Sequence, residues 1–292
     1  MRVFVTGASG HIGSAVVPEL IQAGHEVTGL ARSDASAAAV KAMGADVRRG
    51  DLDDLDGLRE AAAGADAVIH LAFDNDTIAA GNFAGAVATD LAVVRALGGA
   101  LAGTGKTFIG IGLTRTGDAE RDAAIDANPR SAVAREITGL AERGVRTILV
   151  AVPPVTHSAR DRHGFIPMLI NIARDTGVSG YVGEGANRWP AGHTLDVASL
   201  YRLALEKAPA GAQLTAATEE GITVREIAEI IGRHLGVPAV SIPAEQAADH
   251  FKTFPFITLD ITMSNAATRQ LLGWEPVHPG LIADLEDGHY FD

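Results

Sequence analysis

Gly7, Gly10 and Gly13 stand at a spacing that lets a backbone wrap a phosphate. They follow Met1-Arg-Val-Phe-Val-Thr6, in which Val3 and Val5 point to one face of a strand and Phe4 to the other. Ile12, Val16, Leu20 and Ile21 come next at helical spacing, until Gly24 can cap the helix. Strand, glycine turn and helix make a phosphate cradle. Glycines permit the tight turn and let the backbone approach a pyrophosphate, while free N–H groups at the helix N-terminus attract its charge. The turn Gly7-Ala8-Ser9-Gly10-His11-Ile12-Gly13 is therefore the first candidate binding site, with Ser9 as a phosphate contact.

The nucleotide's other contacts should lie at the ends of the following strands. A fold of this kind that binds NAD carries an acidic residue at the end of its second strand. Here that strand ends Gly29-Leu30-Ala31-Arg32-Ser33, with no carboxylate before Asp34. Arg32 can pair bidentately with a 2′-phosphate and Ser33 can add a hydrogen bond, which favours NADP, with NAD as the alternative. Asp51-Leu52 can frame the adenine, and Leu71-Ala72-Phe73 should pass the nicotinamide side.

These residues need an alternating scaffold, and the chain supplies one. Strand patterns at 25–30, 46–49, 66–72, 106–112 and 145–152 alternate with helical patterns at 35–43, 55–63, 77–101 and 129–143. The expected fold is α/β, a Rossmann-like doubly wound parallel sheet. Residues 1–155 form the nucleotide domain, and 156–292 a smaller substrate-binding lobe interleaved with the last sheet elements of the first. In that second part Thr223-Val-Arg-Glu226 is a capping box, opening a helix with Ile227, Ile230, Ile231 and Leu235 on one face and Gly236 at its end. A short strand is expected to end near Leu195.

Composition narrows the partners. The 292 residues are 47% hydrophobic and 21% charged, which is ordinary for a folded globular chain. A net charge of −12 argues against nucleic acid and anionic membranes, leaving a small-molecule substrate, and a homodimer is compatible with it. With no cysteine there is no disulfide, thiolate metal site or cysteine nucleophile. No secretory signal precedes the first strand and no apolar run approaches the length of a membrane span, so a cytoplasmic location is expected.

The residues resemble the extended branch of the short-chain dehydrogenase/reductase superfamily, the NAD(P)-dependent epimerase/dehydratase group. Thr6-Gly7-x-x-Gly10-x-x-Gly13 has that group's glycine spacing. Asp51-Leu52, His70-Leu71-Ala72, Pro153-Pro154-Val155, Tyr181-Val-Gly183-Glu-Gly185, His193-Thr-Leu-Asp196-Val-Ala198 and Leu272-Gly273-Trp274-Glu-Pro276 match its later signatures. The resemblance implies that Pro153 and Val155 pass the nicotinamide amide. It also implies a Tyr-x-x-x-Lys pair, which this chain lacks: four residues after Tyr181 and Tyr201 stand Gly185 and Leu205, and Tyr290 is almost the last residue.

Where the pair should fall, Ser131 and Arg135 occupy its i, i+4 spacing. Arg135 can take the lysine's ribose-orienting role, Ser131 is a poorer acid than a phenol, and Arg130 and Arg135 can also be plain surface ion pairs with Glu136. Gly112 stands where the family's serine is expected, with Thr114 two residues on. His157, just past the double proline, is the best substitute acid, against the blander reading of a loop histidine facing solvent. Arg115, Arg160 and Arg162 can hold an anionic or polyhydroxylated substrate, and Trp189 can wall a pocket. The ten histidines are scattered without ligand spacing, so no metal is expected, and no G-x-S-x-G is present. The expected function is an NADP-dependent oxidoreductase acting on a carbonyl or alcohol, with the proton handled by water, Thr114 or His157. An epimerase/dehydratase with recycled cofactor and a non-catalytic dinucleotide sensor are the alternatives.

Overall fold

The computed structural model describes residues 1–113, 119–251, 254 and 256–292. The chain runs β1 (Arg2–Thr6), α1 (Gly13–Gln22), β2 (Glu26–Ala31), α2 (Asp34–Ala42), β3 (Asp46–Arg49), α3 (Leu55–Gly64), β4 (Ala67–His70), α4 (Asn75–Ala79), α5 (Phe83–Leu101), β5 (Thr107–Ile111), α6 (Ala119–Ala127), α7 (Ser131–Gly139) and β6 (Arg146–Ala151). It continues with β7 (Val155–His157), α8 (Phe165–Thr176), β8 (Ser179–Val182), β9 (Arg188–His193), α9 (Thr194–Lys207), β10 (Ala212–Thr215), β11 (Glu219–Thr223), α10 (Val224–Leu235), β12 (Ala239–Ile242), α11 (Ala247–His250), α12 (Ala266–Leu272) and α13 (Leu281–Glu286). Two compact units result. The first is Met1–Ala151 with Ala198–Thr215 and Ala267–Trp274, and the second is Val152–Val197 with Ala216–Ala266 and Glu275–Asp292.

The first unit holds a seven-stranded sheet in the order β3-β2-β1-β4-β5-β6-β10, with every neighbouring pair parallel. A parallel sheet covered on both faces needs apolar side chains pointing both ways, and Val3, Phe4 and Val5 are all buried. The strand order reverses between β1 and β4, so their carboxyl ends, directly after Thr6 and His70, form the topological switch point where folds of this class bind ligands.

Two expectations about α5 are corrected. The helix expected over 77–101 is two helices. Gly81 adopts φ 82°, and the Asn82 side chain accepts the Gly85 N–H to start α5 afresh. With 19 residues, α5 is also long and apolar enough to cross a membrane, contrary to the sequence reading. In this fold it is a core helix: Val93, Val94, Leu97 and Leu101 are fully buried in one cluster with Leu58 of α3 and Ile137 of α7.

The late segments of the first unit are pinned by polar contacts. Arg146, at the start of β6, donates to the carbonyls of Ala204, Leu205 and Ala208 at the end of α9 and to Thr107 Oγ1. These are the orphan carbonyls of a helix C-terminus, where a cation is also favoured by the helix dipole. Trp274 Nε1 donates to Ser199 Oγ, and Thr215 N–H to Thr268 Oγ1.

The second unit contains a three-stranded sheet, β11-β9-β7, in which β11 is antiparallel and β7 parallel to β9, and a parallel β12-β8 pair. Helix α10 begins as its sequence announces, with Thr223 Oγ1 accepting the Glu226 N–H, and it ends at Gly236 with φ 68°. Its Ile227, Ile230 and Ile231 enter a core with Ile170, Trp189 and Leu281. The strand end expected near Leu195 lies at His193; Leu195 is already in α9.

Arg146→Leu should destabilise the chain by about 2–3 kcal/mol, because several buried carbonyls lose their donor at once. Urea denaturation should show the midpoint falling, with Arg146→Lys intermediate.

Candidate functional site

The residues at the carboxyl ends of β1 and β4 hold each other in one geometry. Thr6 Oγ1 accepts the N–H groups of Leu71 and Ala72, both at 3.2 Å, which leaves its proton for His70 Nδ1 at 2.6 Å. His70 must then carry its proton on Nε2, which donates to Asp90 Oδ1 of α5 at 2.8 Å. All three side chains are buried, which strengthens each of these bonds.

The glycine turn grows from this base. Gly7 has φ 68°, a left-handed conformation, and a Cβ there would sit 2.7 Å from the Ala72 nitrogen. The Gly10 N–H closes the turn onto the Gly7 carbonyl at 2.9 Å, and a Cβ on Gly13 would collide with that same oxygen. Helix α1 starts with Ile12 as its N-cap and receives no side-chain cap. An uncapped helix start behind a turn that only glycines can form fits a pyrophosphate. Ser9 is exposed, and His11 and Ile12 are half-buried.

At the end of β2 the structure redistributes the expected roles. Arg32 is exposed and pairs with Asp76 at 2.7 Å. Ser33 is corrected from free donor to helix cap: its hydroxyl accepts the Ser36 N–H and donates to Ser36 Oγ. Arg49, which sequence reasoning passed over, stands opposite Ala31 in the β2–β3 register. It donates to the Ser33 carbonyl at 2.5 Å and lies 3.0 Å from Asp34. The available signal was the alternation of β3, which brings the last residue of that strand beside the end of β2. Asp51 Oδ1 accepts the N–H groups of Asp53 and Asp54, shaping the β3–α3 turn beside half-buried Leu52.

Beyond β4, Leu71, Ala72 and Phe73 are half-buried and belong to no helix or strand. Gly112 is buried and bonded through its N–H to the Val150 carbonyl. Thr114, Arg115, Thr116 and Asp118 lie outside the described residues. Ser131 and Arg135 share a spacing but not an environment. Ser131 is buried and donates to the Ile125 carbonyl, whereas Arg135 is exposed with Arg95, Glu136 and Arg143 along the α5–α7 groove. The reading of Arg130 as a surface ion pair with Glu136 is corrected as well. Its guanidinium lies over the Phe73 ring, 4.2 Å from the centroid, and 3.9 Å from Asp90.

In the second unit Pro153 and Val155 are buried at the entry to β7. His157 is fully buried, which corrects the picture of a solvent-facing loop histidine. Its Nδ1 is bonded to Asp284 Oδ2 at 2.8 Å, and its Nε2 has no partner among the described residues. It meets His193 edge-on at 5.3 Å, and His193 stacks on His278 at 4.7 Å and 7°. Desolvation, then repulsion from His157 and His278, lowers the His193 pKa to about 4. His193, Asp196 and His278 bring donor atoms within 4.8 Å of one another. Parallel stacked rings aim their lone pairs side by side rather than at a common point, however. Asp196 also already accepts from His278 Nδ1 and the N–H groups of Val277 and His278, so these groups build a turn. Trp189, offered as a pocket wall, is fully buried against Phe165 and Phe254 with Nε1 on the Leu259 carbonyl. Arg160 and Arg162 are exposed.

The fold and the glycine turn are those of the Rossmann-like α/β class of NAD(P)-binding folds. Residues 3–102 match the NAD dependent epimerase/dehydratase family. An uncharacterized protein of Schizosaccharomyces pombe is 42% identical, covering 100% of both chains. Another, of Saccharomyces cerevisiae, is 41% identical over 98% of each. Among solved structures, the UDP-glucuronic acid 4-epimerase of Bacillus cereus, in complex with UDP-glucuronic acid and NAD, superposes with a TM-score of 0.75. The match covers 99% of this chain and 98% of that one, at 17% identity. The chain belongs to the NAD-dependent epimerase/dehydratase family.

Gly13→Ala should abolish dinucleotide binding, since its methyl group displaces the Gly7 carbonyl; NADPH fluorescence titration against the wild-type chain checks this. His193 offers a pH test. Its folded pKa lies below the unfolded 6.5, so between pH 6.5 and about 4 the unfolded chain binds the extra proton. Stability should therefore fall as pH drops through that window. In urea midpoints measured from pH 7.5 to 4.5, His193→Gln should flatten the fall.

Proposed function

We propose that this chain is an NADP-dependent oxidoreductase acting on the carbonyl or alcohol carbon of a small-molecule substrate in the cytoplasm. One observation carries the cofactor choice: Arg32 and Arg49 stand at the adjacent ends of β2 and β3, where an NAD site would place a carboxylate on the ribose. Their present partners, Asp76 and Asp34, are exposed, and exposed pairs are worth only about 0–1 kcal/mol. A 2′-phosphate that accepts two charge-assisted bonds from a guanidinium can replace them. The bound dinucleotide supplies the hydride chemistry, and the chain orients it through the glycine turn.

In this reading neither Tyr201 nor Tyr290 moves the proton. Tyr201 is fully buried, and desolvation pushes its pKa up, opposite to the effect of the family's lysine. Desolvation also raises Tyr290, whose hydroxyl donates to Asp161. Ser131 is spent on the Ile125 carbonyl. Water, Thr114 or His157 carries the proton in this reading. The likeness to a nucleotide-sugar epimerase favours a second reading, in which the dinucleotide is retained and recycled during epimerisation or dehydration.

Arg32→Ala combined with Arg49→Ala should weaken NADPH at least about tenfold and leave NADH nearly unchanged in fluorescence titrations. An unchanged NADPH/NADH affinity ratio would refute the 2′-phosphate assignment. Substrate-dependent NADPH oxidation across a carbonyl panel separates the first reading from recycling and from a sensor, neither of which consumes NADPH.

A further inference from the structure

Arg130 is the anomaly of the first unit. Its side chain is 26% exposed, and its guanidinium makes no hydrogen bond among the described residues. Phe73 supports it from below through a cation–π contact, and Phe73 is itself packed edge-on against Phe83. Asp90 Oδ2 balances its charge from 3.9 Å, too far to accept a hydrogen bond, while Asp90 Oδ1 is held by His70. Burial works against the charged guanidinium, while Asp90 and Tyr201 favour it. Tyr201 is a second donor nearby: its hydroxyl is buried and without a partner among the described residues, and the Arg130 charge acts on its ionisation. Five N–H groups in a fixed fork, held on an aromatic face beside a matched carboxylate, are prepared for oxygen acceptors from outside the chain.

The fold indicates which acceptors. If the adenine half of a dinucleotide lies at the ends of β2 and β3 and its pyrophosphate in the Gly7–Gly13 turn, the other half must extend past the switch point, over β4. Phe73 lies three residues beyond the end of β4, and Arg130 immediately precedes α7. We infer that Arg130, rather than Arg135, is the residue that binds the ribose hydroxyls of the nicotinamide half. The Thr6–His70–Asp90 network sets its position relative to the glycine turn. This inference rests on the dinucleotide reading above.

The test compares whole and half ligands. Wild type, Arg130→Met and Arg130→Lys are titrated with NADPH and with 2′,5′-ADP, which retains the adenosine phosphates but lacks the nicotinamide ribose. Thermal unfolding monitors folding. For Arg130→Met the NADPH dissociation constant should rise at least about tenfold while that for 2′,5′-ADP stays unchanged. Arg130→Lys keeps the charge without the fork, so it should fall between, and it carries the test if the Met variant does not fold. Equal weakening of both ligands, or no change in either, overturns the inference. A wild-type chain that binds neither ligand refutes the dinucleotide reading itself, an outcome distinct from failure of the Arg130 assignment alone.

Discussion

Everything in the first unit that bears on binding depends on the approach of Gly7 to the peptide between Leu71 and Ala72. The glycine turn can lie against the end of β4 because there is no Cβ at Gly7 and because Thr6, the residue before it, accepts both of the N–H groups that β4 presents there. An unpaired buried N–H costs about 1–3 kcal/mol, so Thr6 both satisfies the backbone and fixes the distance. His70 and Asp90 extend this lock to α5. The turn is therefore supported by the sheet rather than by its own few bonds.

The same lock explains how a charged residue survives near the switch point. Asp90 is held by His70, and its second oxygen faces Arg130, so the arginine's charge is offset without its donors being used. The second unit solves a comparable problem differently. Its histidines are stabilised in a largely desolvated cluster by Asp284 and Asp196, and the cost is borne by His193, whose affinity for a proton is reduced. One arrangement offsets a charge without using the arginine's donors, and the other pairs histidines with carboxylates.

Local signals were read correctly where one segment decides the outcome. The β1 strand, the glycine turn, α1 and the capped start of α10 follow from side-chain periodicity and from residues within a turn of each other. Reading failed where the decision lay elsewhere in the chain. Residues 77–101 read as one helix because small apolar residues continue through the break, whereas Gly81 and Asn82 divide it. Spacing within a helix cannot say that Arg130 faces a partner such as Phe73, 57 positions earlier. His157 looked like a loop histidine because its partner, Asp284, lies 127 residues away.

The sequence by itself determined the parallel α/β class, the glycine turn and the absence of a tyrosine–lysine pair, because each is a statement about neighbouring residues or about composition. Only the tertiary structure decided which polar groups are spent and which are left to act. Ser33, Ser131 and His157 are drawn into caps, carbonyl contacts and a buried carboxylate pair, while Arg49 and Arg130 are brought to the strand ends. Hydrogen-bond satisfaction is a property of packed surroundings, and it becomes fixed only when distant segments meet.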